Sequence, residues 1–181
     1  MRQHPSKIKV WEPILLFVVI VALIIYAVNA INAQDWLWFT SQATVIEPVE
    51  IVVVENGVRR TLVPGHAEFA QVSAAAKEAL ADIDSTDLIN LGLSDETLDY
   101  FAENGVLLEL YFREPVEFHT RFRAGEPTQI LVPLAGRHAG NGYFFRGAEG
   151  EWWYGAIRMA NPEPLYEALL GLGYPVAMRG G

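Results

Sequence analysis

The sequence predicts an α+β protein: a single N-terminal transmembrane helix, followed by one domain with a largely antiparallel sheet and about three helices. Three observations predict it. A long uncharged apolar run lies near the N-terminus, the spacing of apolar residues changes along the outer domain from every third or fourth position to every second, and the predicted helices and strands occur in blocks. The predicted segments are a cytoplasmic tail (1–12), a transmembrane helix (13–33), a juxtamembrane linker (34–45) and an extracytoplasmic α+β domain (46–181).

The apolar run, PILLFVVIVALIIYAVNAINA, has the length of a membrane span. Its residues 13–33 carry no charge, and at about 1.5 Å per residue they extend roughly 31 Å, close to the ~30 Å of a bilayer core. Trp11 precedes it, and Trp36 and Trp38 follow it, as is typical of the two headgroup regions. A cleaved signal peptide is the competing interpretation, because Ile31-Asn32-Ala33 loosely resembles a cleavage site. The run exceeds the usual signal length, which favours a permanent anchor.

The basic residues around this segment predict its orientation. Arg2, Lys7 and Lys9 precede the span, and the next basic residue is Arg59. Positive charge collects on the cytoplasmic side, so we expect a single-pass protein of the cell membrane with its C-terminal domain outside and residues 13–33 in contact with lipid. The chain lacks both cysteine and Asn-x-Ser/Thr acceptors, which suits a bacterial surface better than a eukaryotic secretory pathway.

The first half of the outer domain predicts a hairpin and two helices. Val49–Glu55 and Val58–Val63 are β-branched runs around Asn56-Gly57, a dipeptide that favours the type I′ turn. Apolar residues then recur every three or four positions over 66–83, which predicts a helix. Ser94 is the predicted N-cap of a second helix, which ends at Asn104-Gly105.

After Gly105 the hydrophobic period becomes two, which predicts a meander of strands. The predicted strands are Val106–Phe112, Val116–Arg123 and Thr128–Leu134, followed by a hairpin of Tyr143–Arg146 and Glu151–Arg158. Asn161 is the predicted cap of a last helix, with Pro162 at its first position and Gly171 or Gly173 at its end.

Charge excludes one class of partner. The net charge is −9, so the basic footprint of a nucleic-acid-binding protein is absent and we expect no nucleic acid partner. Residues 34–112 hold 14 acidic and 3 basic residues, whereas residues 113–158 hold 5 acidic residues and 6 arginines. The second region therefore supplies the candidate cationic contacts.

No motif in the sequence predicts catalysis, a metal or a cofactor. Without cysteine there is no thiolate, and His66, His119 and His138 lie on different predicted elements without metal-ligand spacing. The acidic residues from Asp82 fail the EF-hand pattern, because Asp87 holds the sixth position, which requires glycine. Paired carboxylates for glycoside hydrolysis remain open as an alternative, since they converge only in space.

An aromatic cluster is the strongest candidate for a binding surface. Six aromatic residues fall within residues 143–154, and strand alternation puts Trp152 and Tyr154 on the face opposite to Trp153. Either a helix or loop covers that face, or it is exposed for a partner. The predicted recognition patch is Arg121, Arg137, His138, Trp152 and Tyr154. The leading hypothesis is an outer domain that binds a protein or envelope ligand without catalysis; the alternative is a cell-envelope hydrolase.

Overall fold

The computed structural model describes residues 11–38, 46–84, 87–120 and 122–177. In chain order the elements are α1 (Trp11–Ala33), β1 (Glu50–Glu55), β2 (Val58–Leu62), α2 (Ala67–Ala79), α3 (Asp95–Glu103), β3 (Val106–Tyr111), β4 (Gln129–Ala135), β5 (Tyr143–Ala148), β6 (Glu151–Trp152), β7 (Ile157–Arg158) and α4 (Glu163–Gly171). This is the predicted α+β architecture: an N-terminal apolar helix, then an antiparallel sheet with helices packed against it.

The sheet has the strand order β2-β1-β3-β4-β5-β6, with β7 paired to the far end of β5, and every pairing is antiparallel. The predicted β1–β2 hairpin is confirmed. Its turn residues Asn56 and Gly57 have φ angles of 48° and 79°, the left-handed values that a type I′ turn requires. In its register Val53 lies opposite Arg60.

Helices α2 and α4 cover one face of the sheet. Val72 of α2 and Leu169 of α4 are buried against strand residues such as Leu108 and Phe144. The irregular segment after β3 adds Phe118 to the same cluster. We call this cluster the first core.

The other face carries a second apolar cluster, the second core. Leu131 and Phe145 lie there beneath Phe101 of α3, and the 89–93 segment adds Ile89 and Leu91 at its border. Because strands covered on both faces need apolar residues at every position, β3 and β4 are nearly continuous apolar runs instead of alternating ones.

The strand predicted over Val116–Arg123 is wrong. The described residues of that segment form no strand, although Val116, Phe118 and Thr120 are buried and Glu117 is exposed, as the alternation indicated. Alternation reports which side chains face the core, whereas a strand also needs a neighbour at hydrogen-bonding distance. Here the N–H of Val116 donates to the carbonyl of Pro127 at 2.8 Å, but no ladder continues among the described residues, and Val116 and Phe118 pack in the first core.

Three further differences from prediction concern the Glu151–Arg158 strand, the end of α2 and the start of α4. The Glu151–Arg158 strand is broken into β6 and β7, and α2 ends at Ala79, because Ile83 turns to form an isolated bridge with Met159. Asn161 does not cap α4; Pro162 occupies the N-cap position without a side-chain hydrogen bond. The cap at Ser94 is confirmed, since its side chain accepts from the backbone N–H of Thr97.

Candidate functional site

α1 is long and apolar enough to cross a membrane, and its central side chains are exposed. After Ala33 the chain turns at once. The Tyr26 hydroxyl donates to the carbonyl of Trp36 at 2.7 Å, and the Trp36 side chain is itself 61% exposed. Tryptophan is enriched in the headgroup layer of membranes, and an exposed tryptophan just after an apolar helix is typical of that layer. The rest of the predicted linker, 39–45, lies outside the described residues.

A hydrogen-bonded histidine–aspartate pair joins the end of α1 to the domain, and we call it the junction pair. Nδ1 of His119 lies 2.8 Å from Oδ2 of Asp35, and both side chains are only 18% exposed. Glu117 and Glu126 line the same cavity of about 140 Å³ beside this pair, together with Ala33 of α1. The contact places the segment around His119 beside the C-terminal end of α1.

The predicted recognition patch is divided in the structure. Arg121 lies outside the described residues. Arg137 pairs with Glu96 of α3 at 2.9 Å, and its guanidinium lies 4.8 Å from the ring centre of Tyr100. Both contacts are made to α3, so the arginine is already engaged within the domain, although Glu96 is 81% exposed.

His138 follows in the same loop, with a φ of 64°. Its ring centre lies 6.2 Å from that of Phe145, a residue of the second core. Burial, and to a smaller extent the charge of Arg137, lowers the pKa of His138 below its ordinary value. The imidazole is therefore neutral at neutral pH and suits packing or hydrogen bonding more than anion capture.

Of the two aromatic residues in the patch, Trp152 is partly buried and Tyr154 is exposed. Trp152 packs against the second core. Tyr154 is 67% exposed, and its hydroxyl donates to the side chain of Asn90. Its ring covers Gly92 so closely that a Cβ there would lie 2.6 Å from the ring. Tyr154 is thus a fixed, outward-facing aromatic surface.

A buried arginine positions this region from beneath. Arg146 of β5 is 3% exposed and donates to the carbonyls of Ala124, Tyr154 and Gly155. Burial lowers the pKa of Arg146 to about 10, so the guanidinium remains charged at neutral pH. Trp153 lies over it, with 5.8 Å between the guanidinium carbon and the ring centre. One side chain thereby ties the 122–125 segment to the loop that presents Tyr154.

The structure brings together one polar cluster that the sequence analysis missed. Both nitrogens at the tip of Arg59 donate to the carboxylate of Glu109, at 3.0 and 2.5 Å, and the Tyr111 hydroxyl donates to the same carboxylate at 2.7 Å. The Glu109 side chain is 7% exposed, whereas that of Arg59 is 54% exposed. The signal in the sequence was Glu109 itself, a single charge in the apolar strand VLLELY.

Hydrogen bonding and burial determine the charge states of Arg59 and Tyr111 in this cluster. The hydrogen bond to Glu109 raises the pKa of Arg59, and burial raises the pKa of Tyr111 above its ordinary value of 10.0. The arginine is therefore charged and the phenol neutral at physiological pH, and the phenol acts as a donor. The Arg59 guanidinium thus balances the negative charge of the carboxylate, and the Arg59 side chain remains 54% exposed.

Within the described ranges no group of three or more histidine or acidic side chains is arranged to hold a metal ion. No family model, curated protein or solved structure matches the chain. What can be inferred about function therefore depends on the geometry of these surfaces.

Proposed function

We propose that this chain is a single-pass membrane protein whose N-terminus is cytoplasmic and whose outer domain, residues 46–181, binds a protein or envelope ligand without catalysis. The observation that carries the proposal is the junction between α1 and the domain. An exposed apolar helix ends at Ala33, and two residues later Asp35 is bonded to His119 of the domain. A helix in the bilayer would thus hold the domain beside the outer membrane surface.

Two surfaces support a binding role for the outer domain. Tyr154 offers a fixed aromatic ring, the residue type that is enriched at interaction hot spots. β2 offers an exposed strand at the edge of the sheet. Both are surfaces and not clefts, and both are braced from within the domain, which reduces the entropy lost when a partner binds.

Orientation is tested by labelling single cysteines, since the chain has none of its own. Ala102→Cys lies on an exposed position of α3, and Lys7→Cys lies before the span. In intact cells a membrane-impermeant maleimide is expected to label Ala102→Cys at once and Lys7→Cys only after permeabilisation. The reverse pattern, or labelling of both before permeabilisation, would contradict the proposed topology.

Binding is tested by photo-crosslinking in the same cells. A benzophenone amino acid placed at Tyr154 is expected to give a discrete adduct, whereas the same group at Glu78, an exposed position near the end of α2, serves as the matched control. If both positions give the same adducts, or neither gives any, the aromatic surface does not contact a partner.

The hydrolase alternative is favoured by one observation, the acidic cavity beside His119. Asp35, Glu117 and Glu126 all line it, and two carboxylates that flank a substrate are what glycoside hydrolysis requires. Asp35 is engaged by His119 at 2.8 Å, which leaves Glu117 and Glu126 as the acid and base of this second candidate function. Loss of a cell-wall-degrading activity in both Glu117→Gln and Glu126→Gln would favour it over the binding proposal.

A further inference from the structure

β2 forms one edge of the sheet, and no strand among the described residues pairs with its outer side. It has five residues, whereas β6 at the other end of the strand order has two. Its first four residues, Val58, Arg59, Arg60 and Thr61, are exposed. An edge of this length is a template on which another extended chain is able to pair.

The hydrogen bonding of the hairpin determines which backbone groups of β2 face outward. The N–H of Asn56 donates to the carbonyl of Gly105 at 2.9 Å, so even-numbered residues of β1 direct their backbone groups towards β3. Odd-numbered residues of β1 therefore bond to β2, where their partners include Arg60. The backbone N–H and C=O groups of Arg59 and Thr61 consequently point away from the sheet.

Charge indicates what kind of chain this edge fits. Arg59 and Arg60 are two of the three basic residues within 34–112. Arg60 pairs with Glu68 at 3.0 Å, but the two side chains are 59% and 46% exposed, and ion pairs this exposed contribute little stability. Arg60 is therefore able to exchange Glu68 for a carboxylate on an incoming strand at little cost.

The position of Arg60 also suits such a contact. Relative to the outer edge it is a non-hydrogen-bonded position, where opposing side chains approach most closely. Negative charges of the domain that lie farther away than the Debye length, which is about 8 Å at physiological salt, are largely screened. A carboxylate opposite Arg60 would thus compete mainly with Glu68 for the Arg60 guanidinium, while Arg59 stays paired with Glu109.

We propose that the free edge of β2 binds an extended, acidic segment of a partner protein by strand addition, with a carboxylate opposite Arg60. The inference rests on the proposed binding function and names the chemistry of its partner. The added strand would pair with the outward backbone groups of Arg59 and Thr61.

A second copy of the chain fits this edge less well. In the two-fold antiparallel register that overlaps all five residues, Arg60 of one copy lies opposite Arg60 of the other. Shifting the register by one step in one direction sets Arg59 opposite Arg59. Like charges directly opposite are destabilising in a sheet, so these two registers disfavour a second copy. The remaining register, with Thr61 opposite Thr61, is tested below by Thr61→Cys.

The test uses the full chain in nanodiscs and a fluorescein-labelled peptide, Thr-Val-Thr-Glu-Thr-Val-Thr, with a matched peptide that has lysine in place of glutamate. Affinity is measured by fluorescence anisotropy. Thr61→Pro removes an outward N–H at an edge where proline is tolerated, and Thr61→Ala is its control. Arg60→Glu reverses the charge at the contact without altering the backbone.

We expect the glutamate peptide to bind more tightly than the lysine peptide. Thr61→Pro should weaken binding roughly fivefold or more, as expected for the loss of a backbone hydrogen bond, and Thr61→Ala less than about twofold. Arg60→Glu should invert the preference between the peptides. The proposal is overturned if neither peptide binds, if Arg60→Glu leaves the preference unchanged, or if Thr61→Cys forms disulfide-linked dimers in membranes. None of these outcomes alters the labelling or crosslinking results above.

Discussion

The single charged residue in β3 is stabilised by a partner from a distant part of the sequence. Glu109 is almost fully buried and is neutralised by Arg59, which lies two strands away in the sheet and keeps half of its surface in water. Burial makes the two members of the pair unequal. Arg59 is able to turn to solvent if its partner is lost, whereas Glu109 cannot.

This inequality predicts different costs for the two substitutions. Arg59→Met should destabilise the domain by about 2–3 kcal/mol, because it leaves a buried carboxylate with only Tyr111 as donor. Glu109→Gln should cost about 1 kcal/mol, because its side-chain oxygen still accepts from Tyr111. Urea unfolding of the detergent-solubilised protein, followed by tryptophan fluorescence, measures both. Equal costs would show that the carboxylate is not effectively buried.

At the scale of elements, the Asn56-Gly57 turn and the Ser94 cap follow local residues closely, whereas the predicted Asn161 cap and the strand at 116–123 do not form among the described residues. Ser94 caps α3 as its sequence context predicts, because the bond from the Thr97 N–H spans three residues. The described residues of 116–123 alternate in burial as predicted, yet they form no strand. Strand pairing depends on which segments the packing of the entire first core brings side by side. Local signals therefore predicted which side chains are buried better than they predicted which segments pair in the sheet.

The cap supplies the prediction at this scale. Ser94→Ala should lower the free energy of unfolding by about 1 kcal/mol, because the Thr97 N–H at the start of α3 loses its side-chain acceptor. Ser73→Ala, in the middle of α2, is the matched control and should change stability by less than about 0.5 kcal/mol. Denaturant titration of both variants gives the comparison. A loss as large for Ser73→Ala as for Ser94→Ala would contradict a specific capping role.

For the whole molecule the decisive contact is the junction pair. It is a hydrogen bond between the turn after α1 and the domain, and its two residues are 84 positions apart. Four of the five members of the predicted recognition patch lie in described regions. They are bound into the domain to different degrees, with Tyr154 the most exposed.

Breaking the junction pair should loosen the domain from its anchor without unfolding it. In nanodiscs, His119→Ala is expected to speed amide hydrogen exchange at 34–38 and 117–119 and to leave exchange in β3 unchanged. His66→Ala is the control, since His66 is exposed and makes no side-chain cap bond. Unchanged exchange at 34–38 in His119→Ala would mean that the junction pair does not hold the domain.

The amino-acid order alone specified features that depend on short stretches of chain. These are the apolar span, the Asn56-Gly57 hairpin, the Ser94 cap and the apolar strands, since each arises from the conformational preferences or burial of neighbouring residues. Only the folded arrangement decided that Arg59 meets Glu109, that Asp35 meets His119, and which strand is left at the edge. Those contacts join residues that are 50 or more positions apart, and their geometry exists only once the sheet and both cores have assembled.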